Sequence, residues 1–260
     1  LAEGQIRVIS PDVGGGFGYK AILAAEEVCL GWLALHCGHP VRWLEDRREH
    51  LTANANCREH HYNITAYADD DGRLLAVDAE CMVDSGAYSA YPFTAAIEAS
   101  QVAAILPGPY DLTGYRCTSY AVATNKAPIL PYRGVARPGV CYAMEIMIDA
   151  VARAAEIEPW QVRLRNLVPP EAMPYDNVTD KHFDSGDYPG LLHRAVEAID
   201  LDAVRARQRQ GEPDGRLIGV GLASLSEQTA HGTTADGKKR ALHELAMARL
   251  TPDGGLELRV

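Results

Sequence analysis

The chain has 260 residues and a formal net charge of −10 at pH 7, because 25 Lys and Arg residues face 35 Asp and Glu residues. Hydrophobic residues make up 47% and charged residues 23%, a balance that is typical of globular proteins and excludes an extended disordered chain. Nucleic-acid-binding proteins carry a basic excess that this sequence lacks, so we expect no nucleic-acid partner.

The predicted elements start with a strand near residues 5–10, which leads through a glycine-rich turn into an apolar helix over 21–37. Gly38 is suited to the residue after that helix, where a left-handed backbone is common. Residues 41–44 predict a short strand and residues 46–54 a short polar helix. The apolar helix is too short to cross a bilayer and contains acidic residues, so it predicts a buried helix and no membrane partner.

A β-hairpin is predicted next. Tyr62, Ile64 and Ala66 alternate on one strand, and 69–72 is a turn of three aspartates and a glycine. The alternating apolar residues of the return strand are Leu75, Val77, Ala79, Cys81 and Val83. A helix near 93–105 and a strand over 115–124 follow.

Residues 125–139 predict a structured loop before the strongest helix of the sequence. An apolar stripe at helical spacing marks that helix, with Glu145, Asp149 and Arg153 on the opposite face. The stripe consists of Val140, Ala143, Met144, Met147, Ile148, Val151 and Ala155. Pro159 is suited to the first position of a second helix.

Helices are predicted over 188–199 and 201–210, and strands after Arg216. The last strand alternates Leu256, Leu258 and Val260. Strands and helices that do not alternate regularly predict an α+β fold rather than a doubly wound sheet. The chain starts at Leu1 and stops within a strand pattern, so we expect residues 1–260 to be an excised piece of a longer chain.

The glycine loop, Gly14–Gly18, lies between a predicted strand and a predicted helix. Glycines there let a ligand approach the backbone, and amides at a helix N-terminus donate hydrogen bonds to anions. The spacing fits neither the dinucleotide fingerprint nor a Walker A sequence, since Lys20 stands out of position. A tight turn that only packs the helix on the strand is the alternative.

The arginine loop, Tyr132–Pro138, precedes the strongest helix. Arg133 could orient an anion or an oxo group by a forked hydrogen bond, or else be a solvated charge or the partner of a nearby carboxylate. Asp84 and the 184–187 segment are suited to turns or to capping of a helix N-terminus.

Other catalytic centres are not supported. The six cysteines form no Cys-x-x-Cys pair, so neither structural zinc nor an iron–sulfur cluster is expected in this chain, and scattered thiols suit a reducing, cytoplasmic compartment. His60 and His61 are neighbours on a strand and point to opposite faces, so they cannot chelate one metal together. No Gly-x-Ser-x-Gly sequence occurs, and a thiol nucleophile is not supported either, because Cys29 and Cys141 lie on the stripes or edges of predicted helices.

Taken together, these segments resemble the large subunit of molybdenum hydroxylases: the xanthine dehydrogenase, aldehyde oxidase and carbon monoxide dehydrogenase large-chain family. The segments that carry the resemblance occur in the family's order and span nearly the whole chain. They are Ile6–Lys20, Met82–Tyr88, Tyr132–Pro138, Leu164–Leu167 with Pro169–Glu171, and Asp184–Tyr188.

The resemblance implies that residues 1–260 are the first part of a molybdopterin-binding domain, excised from a longer large subunit. It also implies that the glycine loop lies against a molybdenum–molybdopterin cofactor, and that the arginine loop is the second active-site loop. The residues implied to bind the cofactor are Gly16, Phe17, Gly18, Tyr132, Arg133 and Gly134. Arg133 is also the implied catalytic residue, and no metal ligand is assigned. Backbone donors on a rigid scaffold can stabilise developing negative charge without reorganising.

Such enzymes oxidise an aldehyde or an N-heterocyclic carbon with oxygen from water. The resemblance implies a cytosine dinucleotide form of the cofactor, iron–sulfur clusters and FAD in other domains or subunits, and a small organic substrate. It places the glutamate base and certain glutamine contacts outside residues 1–260, so the chain by itself is expected to be inactive. The alternatives are a cofactor-free structural or assembly domain of the same descent and, on the glycine loop alone, a phosphate- or nucleotide-binding protein.

Two departures narrow the implied substrate. Purine-oxidising relatives place a glutamate directly after the loop lysine, where this chain has Ala21, and their substrate-binding arginine falls near Gln101. Without both charged partners a purine is poorly held, so xanthine is disfavoured. Carbon monoxide-oxidising relatives carry a cysteine directly after the loop arginine, as part of a copper–sulfur–molybdenum site. This chain has Gly134 at that position, so carbon monoxide is also disfavoured.

Overall fold

The computed structural model describes residues 1–54, 57–227 and 246–259. The chain divides into two compact units, Leu1–Leu225 and Ser226–Val260. The first unit contains a three-stranded sheet with helices packed against it, which confirms the α+β prediction. Within the described part of the second unit, β6 (Met247–Leu250) and β7 (Leu256–Arg259) form an antiparallel hairpin. The expected strand alternation continues to Val260, which lies outside the described residues.

The sheet of the first unit has the order β1 (His60–Ala68), β2 (Leu74–Gly86) and β3 (Gly114–Ala123). β1 and β2 form the predicted antiparallel hairpin, whereas β2 and β3 run parallel. Parallel neighbours need a crossover connection, which contains helix α3 (Ile97–Ile105). The sequence predicted all of these elements but not the parallel pairing.

The remaining α-helices of the first unit agree with the predicted helices to within a few residues, whereas the 3-10 turns and the small hairpin over 175–183 were not predicted. The helices are α1 (Ala25–Cys37), α2 (Arg47–Glu49), α4 (Arg137–Ala154), α5 (Pro159–Asn166), α6 (Tyr188–Ala198) and α7 (Leu201–Gln210), with 3-10 turns at Glu3–Gln5, Tyr19–Ala21 and Pro170–Ala172, a π-helical turn at His50–Asn54, and a small hairpin of β4 (Tyr175–Asp176) and β5 (His182–Phe183). α1 ends as predicted at Gly38, which has a left-handed backbone and donates its amide to the Ala34 carbonyl at 3.1 Å. The prediction that this helix is buried is wrong for the described residues, because none of them covers its apolar side chains and Trp32 is 57% exposed. None of the described helices is long and apolar enough to cross a membrane.

The core lies between one face of the sheet and the helices α3 and α4. Val77 and Val83 on β2 belong to one buried cluster with Val102 on α3 and with Met144 and Ile148 on α4. Burying a side chain of this size stabilises a fold by about 1.5–3 kcal/mol relative to leaving it exposed. The apolar periodicity of β2 and α4 therefore predicted the centre of the core.

The polar face assigned to α4 is wrong at Glu145. Its side chain is buried and accepts hydrogen bonds from the Arg163 Nε at 2.7 Å and the Tyr110 hydroxyl at 2.5 Å. Arg163, itself fully buried, also binds Asp149 at 2.7 Å. A buried guanidinium needs partners of this kind, so the charged side chains of α4 serve to hold α5.

Three predicted strands are absent from the described residues. Residues 6–13, 41–44 and 216–225 have no regular secondary structure. The apolar residues of the first segment are exposed, Val8 to 89%, and within the described part of the chain no strand pairs with the backbone of this segment. Leu75 was also predicted to face the core, but Leu74 is buried there instead and Leu75 is exposed.

Candidate cofactor-binding site

The glycine loop has a backbone that L-amino acids rarely adopt. The φ angles of Gly15 and Gly18 are +122° and +86°, and Phe17 between them has a φ of +55°. A Cβ atom on Gly18 would lie 3.1 Å from the carbonyl oxygen of Pro131, which immediately precedes the arginine loop. Glycine at position 18 is therefore required both by the φ angle and by the close approach of the second loop.

The arginine loop is a tight turn that leads directly into α4. The Val135 amide donates to the Tyr132 carbonyl at 2.7 Å, and the Arg137 amide donates to the Gly134 carbonyl at 2.9 Å. Gly134 has a φ of +90°, and a Cβ atom there would lie 2.9 Å from the Pro138 Cδ. The predicted loop thus exists as a rigid turn, with no space for a side chain at Gly134.

The structure brings the two loops together. The Arg133 amide donates to the Phe17 carbonyl at 2.7 Å, and the Phe17 and Tyr132 rings lie 6.4 Å apart between centroids. The six residues assigned to cofactor binding therefore form one surface, although the two segments are more than a hundred residues apart in the sequence. We call Gly16–Gly18 the glycine triplet and Tyr132–Gly134 the arginine triplet.

The hydrogen bonds of this surface are one-sided. All six carbonyl oxygens of the two triplets accept hydrogen bonds from within the protein. In sequence order, the donors are the backbone amides of Lys20, Arg133, Ala21 and Val135, the Arg58 guanidinium, and the backbone amide of Arg137. Of the six triplet amides, only that of Arg133 donates to a described residue. Neighbouring N–H groups without acceptors are a typical receptor for an anion.

The side chains of the surface face outward. Phe17 is 49% and Tyr132 41% exposed, and Arg133 is exposed as well. The Arg133 guanidinium has no ion pair or hydrogen bond to any described residue, so it is not the partner of a carboxylate in that part of the chain. Arg137 differs, since its Nη1 binds the Gln101 Oε1 at 3.3 Å.

Sequence reasoning missed Arg58. Its guanidinium lies 4.8 Å from the centroid of the Tyr132 ring, and its Nη2 donates to the carbonyls of Tyr132 (3.3 Å) and Arg133. A lone arginine before a predicted strand carries no periodicity or motif, so nothing in the sequence distinguished it from a surface charge.

A second set of polar groups lies at Tyr19, directly after the glycine loop. The Tyr19 hydroxyl lies 3.4 Å from the His50 Nδ1, which in turn lies 2.9 Å from a Glu45 oxygen. Burial and the nearby Glu45 raise the pKa of Tyr19 to about 12, so the phenol stays protonated. Burial opposes ionisation of Glu45, but hydrogen bonds from Asn54 and His50 outweigh it and lower the Glu45 pKa.

The other candidate residues have structural partners. Asp84 accepts from the Thr124 hydroxyl at 2.6 Å and the Gly86 amide at 2.9 Å, and Asp187 caps α6 through the Gly190 amide at 2.8 Å. No group of three His, Cys, Asp or Glu side chains within residues 1–54, 57–227 and 246–259 could hold a metal ion.

Comparison with known proteins assigns the chain to a family. Residues 1–167 match the molybdopterin cofactor-binding domain family. The nicotine 6-hydroxylase large subunit of Paenarthrobacter nicotinovorans is 32% identical over 98% of this chain and 32% of its own length. The carbon monoxide dehydrogenase large chain of Hydrogenophaga pseudoflava is 32% identical over 89% of this chain and 29% of its own.

A solved structure agrees with the sequence relatives. Quinoline 2-oxidoreductase from Pseudomonas putida 86 superposes with a TM-score of 0.85 and 33% identity, over 95% of this chain and 32% of that chain. The chain thus spans about a third of the length of these relatives. With the matched region including both loops, the chain belongs to the molybdopterin cofactor-binding domain family of molybdenum hydroxylase large subunits.

Proposed function

We propose that the two triplets bind a molybdenum–molybdopterin cofactor in the large subunit of a molybdenum hydroxylase. The observation that carries the proposal is the one-sided hydrogen bonding of this surface, where every carbonyl is occupied and five amides have no acceptor among the described residues. The anionic oxygens of a molybdopterin fit such a surface, because each can accept from an N–H that is already oriented.

The residues take different roles in this proposal. The amides of Gly16, Phe17, Gly18, Tyr132 and Gly134 donate to the cofactor, and the Phe17 ring forms a wall on the substrate side. Arg133 is the proposed catalytic residue, because an exposed guanidinium without a described partner can bind a substrate oxygen or nitrogen in a forked arrangement. The bound cofactor would supply the oxidation of a substrate C–H bond with oxygen from water.

The proposed substrate is an aldehyde or an N-heterocycle. Two of the relatives are named for nicotine and quinoline, both of which are nitrogen heterocycles. A cysteine cannot occupy position 134 without moving Pro138, since a Cβ there would lie 2.9 Å from its Cδ. That geometry speaks against a copper–sulfur–molybdenum site of the kind proposed for carbon monoxide oxidation, even though a carbon monoxide dehydrogenase is among the relatives.

We propose further that residues 1–260 are part of a longer large subunit. Helix α1 supports this proposal, because it has no buried residue although it carries Val28, Trp32 and Leu35, each more than half exposed. A helix that is apolar around much of its circumference is normally covered by other parts of a protein. The proposed partners are the remainder of the large subunit and the iron–sulfur and flavin domains or subunits, assembled in the cytoplasm.

Elemental analysis of the native complex that contains this chain tests the proposal. We expect about one molybdenum per large subunit together with several irons, and release of CMP on acid hydrolysis if the cofactor is the cytosine dinucleotide form. A properly matured complex without molybdenum would instead favour the cofactor-free assembly domain. The 260-residue chain by itself is expected to show no substrate-dependent dye reduction.

A pair of glycine variants tests the site itself. Gly18→Ala places a Cβ 3.1 Å from the Pro131 carbonyl at a φ of +86°, so we expect the two loops to separate and molybdenum to be lost. Gly14→Ala is the control in the same loop, because no atom lies within 4 Å of the new Cβ. Equal molybdenum content in both variants would contradict the assignment of the glycine triplet.

A further inference from the structure

The Arg58 side chain binds the arginine triplet through its carbonyls and the Tyr132 ring. It lies just before β1 with a φ of +61°, a backbone conformation that is unusual for an arginine. Its Nη2 donates to the Tyr132 carbonyl at 3.3 Å and to the Arg133 carbonyl, and its guanidinium lies 4.8 Å from the centroid of the Tyr132 ring. One side chain therefore contacts two consecutive carbonyls and the ring of the same loop.

The Arg133 carbonyl has no other donor among the described residues. This carbonyl shares a planar trans peptide unit with the Gly134 amide, and the C=O and N–H of such a unit point in opposite directions. Because Arg58 fixes where the carbonyl points, it also fixes where the Gly134 N–H points. Gly134 has a φ of +90° and lacks a Cβ, so its own conformational preferences would not hold this peptide.

The other carbonyls of the two triplets are held by the backbone. The Lys20 amide binds the Gly16 carbonyl at 3.2 Å, and the Arg133 amide binds the Phe17 carbonyl at 2.7 Å. By the same geometry these bonds orient the N–H groups of Phe17 and Gly18. The peptide between Arg133 and Gly134 differs, since within the described part of the chain its orientation depends on a side chain alone.

We infer that Arg58 is a positioning residue for the bound cofactor, which aims the Gly134 amide at a cofactor oxygen by holding the Arg133 carbonyl. This inference rests on the function proposed above. Arg58 touches neither substrate nor cofactor in this role. Its cation–π contact also fixes the Tyr132 ring, which borders the same surface. A lysine keeps the charge but not the planar fork, so it is expected to replace Arg58 only in part.

The test uses the molybdenum-containing complex with Arg58→Asn and Arg58→Lys. Asparagine tolerates a positive φ and is too short to reach the arginine triplet, so the first variant removes the guanidinium without straining the backbone. Arg116→Asn is the matched control, because Arg116 pairs with Asp78 at 2.8 Å on the sheet. The readouts are the rate at which molybdenum is lost on dialysis and the molybdenum EPR spectrum of the dithionite-reduced complex.

We expect Arg58→Asn to lose molybdenum about tenfold faster than wild type and to shift the EPR g-values, as one charge-stabilising hydrogen bond is misdirected. The molybdenum release rate of Arg58→Lys should lie between those of Arg58→Asn and wild type, and Arg116→Asn should match wild type. Added guanidinium ion should restore the EPR spectrum of Arg58→Asn in part. If Arg58→Asn does not assemble, Arg58→Lys decides in its place.

Unchanged release and an unchanged spectrum in the Arg58 variants would overturn the inference, as would equal changes in Arg116→Asn. A wild-type complex without molybdenum would overturn the proposed function and the inference with it. A complex that holds molybdenum but is indifferent to Arg58 would overturn the inference alone.

Discussion

Asn166, the last residue of α5, ties this helix to the β1–β2 turn. Its Oδ1 accepts from the Leu74 amide at 2.7 Å, while its Nδ2 donates to the carbonyls of Gly72 and Val162, both at 2.8 Å. The side chain is fully buried, so each of these groups depends on Asn166 rather than on water. Asn166→Asp would keep the acceptor and remove both donors.

The cost of that change follows from the partners it leaves. The Gly72 carbonyl, left without a donor, costs about 1–2 kcal/mol, whereas the Val162 carbonyl keeps the backbone bond of the helix. A carboxylate buried beside these two carbonyl oxygens adds to the cost. We therefore expect Asn166→Asp to lower the local unfolding free energy by about 3–4 kcal/mol at pH 7. Because burial raises the pKa of the introduced carboxyl, part of the loss should be regained as the pH falls from 7 to 5.

Asn177 provides a matched control. It is also buried, but its Oδ1 accepts three hydrogen bonds, from the amides of Thr179 and Lys181 and from the Thr179 hydroxyl, all at 2.9 Å. An aspartate accepts the same bonds, so Asn177→Asp should change the free energy by less than about 1 kcal/mol.

Hydrogen exchange in the assembled complex measures both variants at the peptides that cover β2 and α5. A loss of 3–4 kcal/mol corresponds to exchange faster by on the order of 10²–10³ at the Leu74 amide. Equal exchange rates in Asn166→Asp and Asn177→Asp would refute the reasoning, because the two differ mainly in the donors that are lost.

Three further perturbations have expected outcomes. Glu145→Gln leaves the buried Arg163 guanidinium with half-exposed Asp149 as its remaining carboxylate, so exchange in α4 and α5 should report a loss of about 2–3 kcal/mol. A hydrogen bond from Thr124 lowers the pKa of Asp84, so ionised Asp84 contributes to the free energy of unfolding at neutral pH. This contribution is lost as the pH falls below the ordinary pKa of 3.8, and Asp84→Asn should therefore weaken the dependence of the unfolding free energy on acid pH. Gly139→Ala places a Cβ 2.4 Å from the His60 Nδ1, so the start of α4 should shift, as faster exchange at the α4 N-terminus would show.

The elements that sequence reasoning predicted correctly are those whose periodicity reports their own burial. The hairpin and α4 alternate or repeat their apolar residues because one face of each meets the core. The segment at 5–10 also has a composition typical of a strand, but such a segment forms a strand only where a neighbouring backbone offers hydrogen bonds. That neighbour is a property of the whole fold, which a local pattern does not contain.

Local patterns also failed to predict the burial of a charged residue. Spacing placed Glu145 on the outer face of α4, and by polarity it belonged in solvent. It is buried because Arg163 on the next helix supplies the compensating charge and hydrogen bonds. A buried ion pair of this kind is stable only when both partners are present, so it cannot be predicted from the local sequence around either residue.

For the candidate site, the sequence contained the two loops but neither their contact nor the pattern of their hydrogen bonds. The glycine loop and the arginine loop were visible as motifs, and the structure shows that they meet through the bond between Arg133 and Phe17. In the proposed function, what suits this surface to anions is the occupation of its carbonyls by donors from three parts of the chain, namely residues 20–21, Arg58 and residues 133–137. Glycine lets a peptide group rotate so that either its carbonyl or its amide faces a ligand. A glycine-rich loop therefore favours anions only when the surrounding fold binds its carbonyls and leaves its amides exposed.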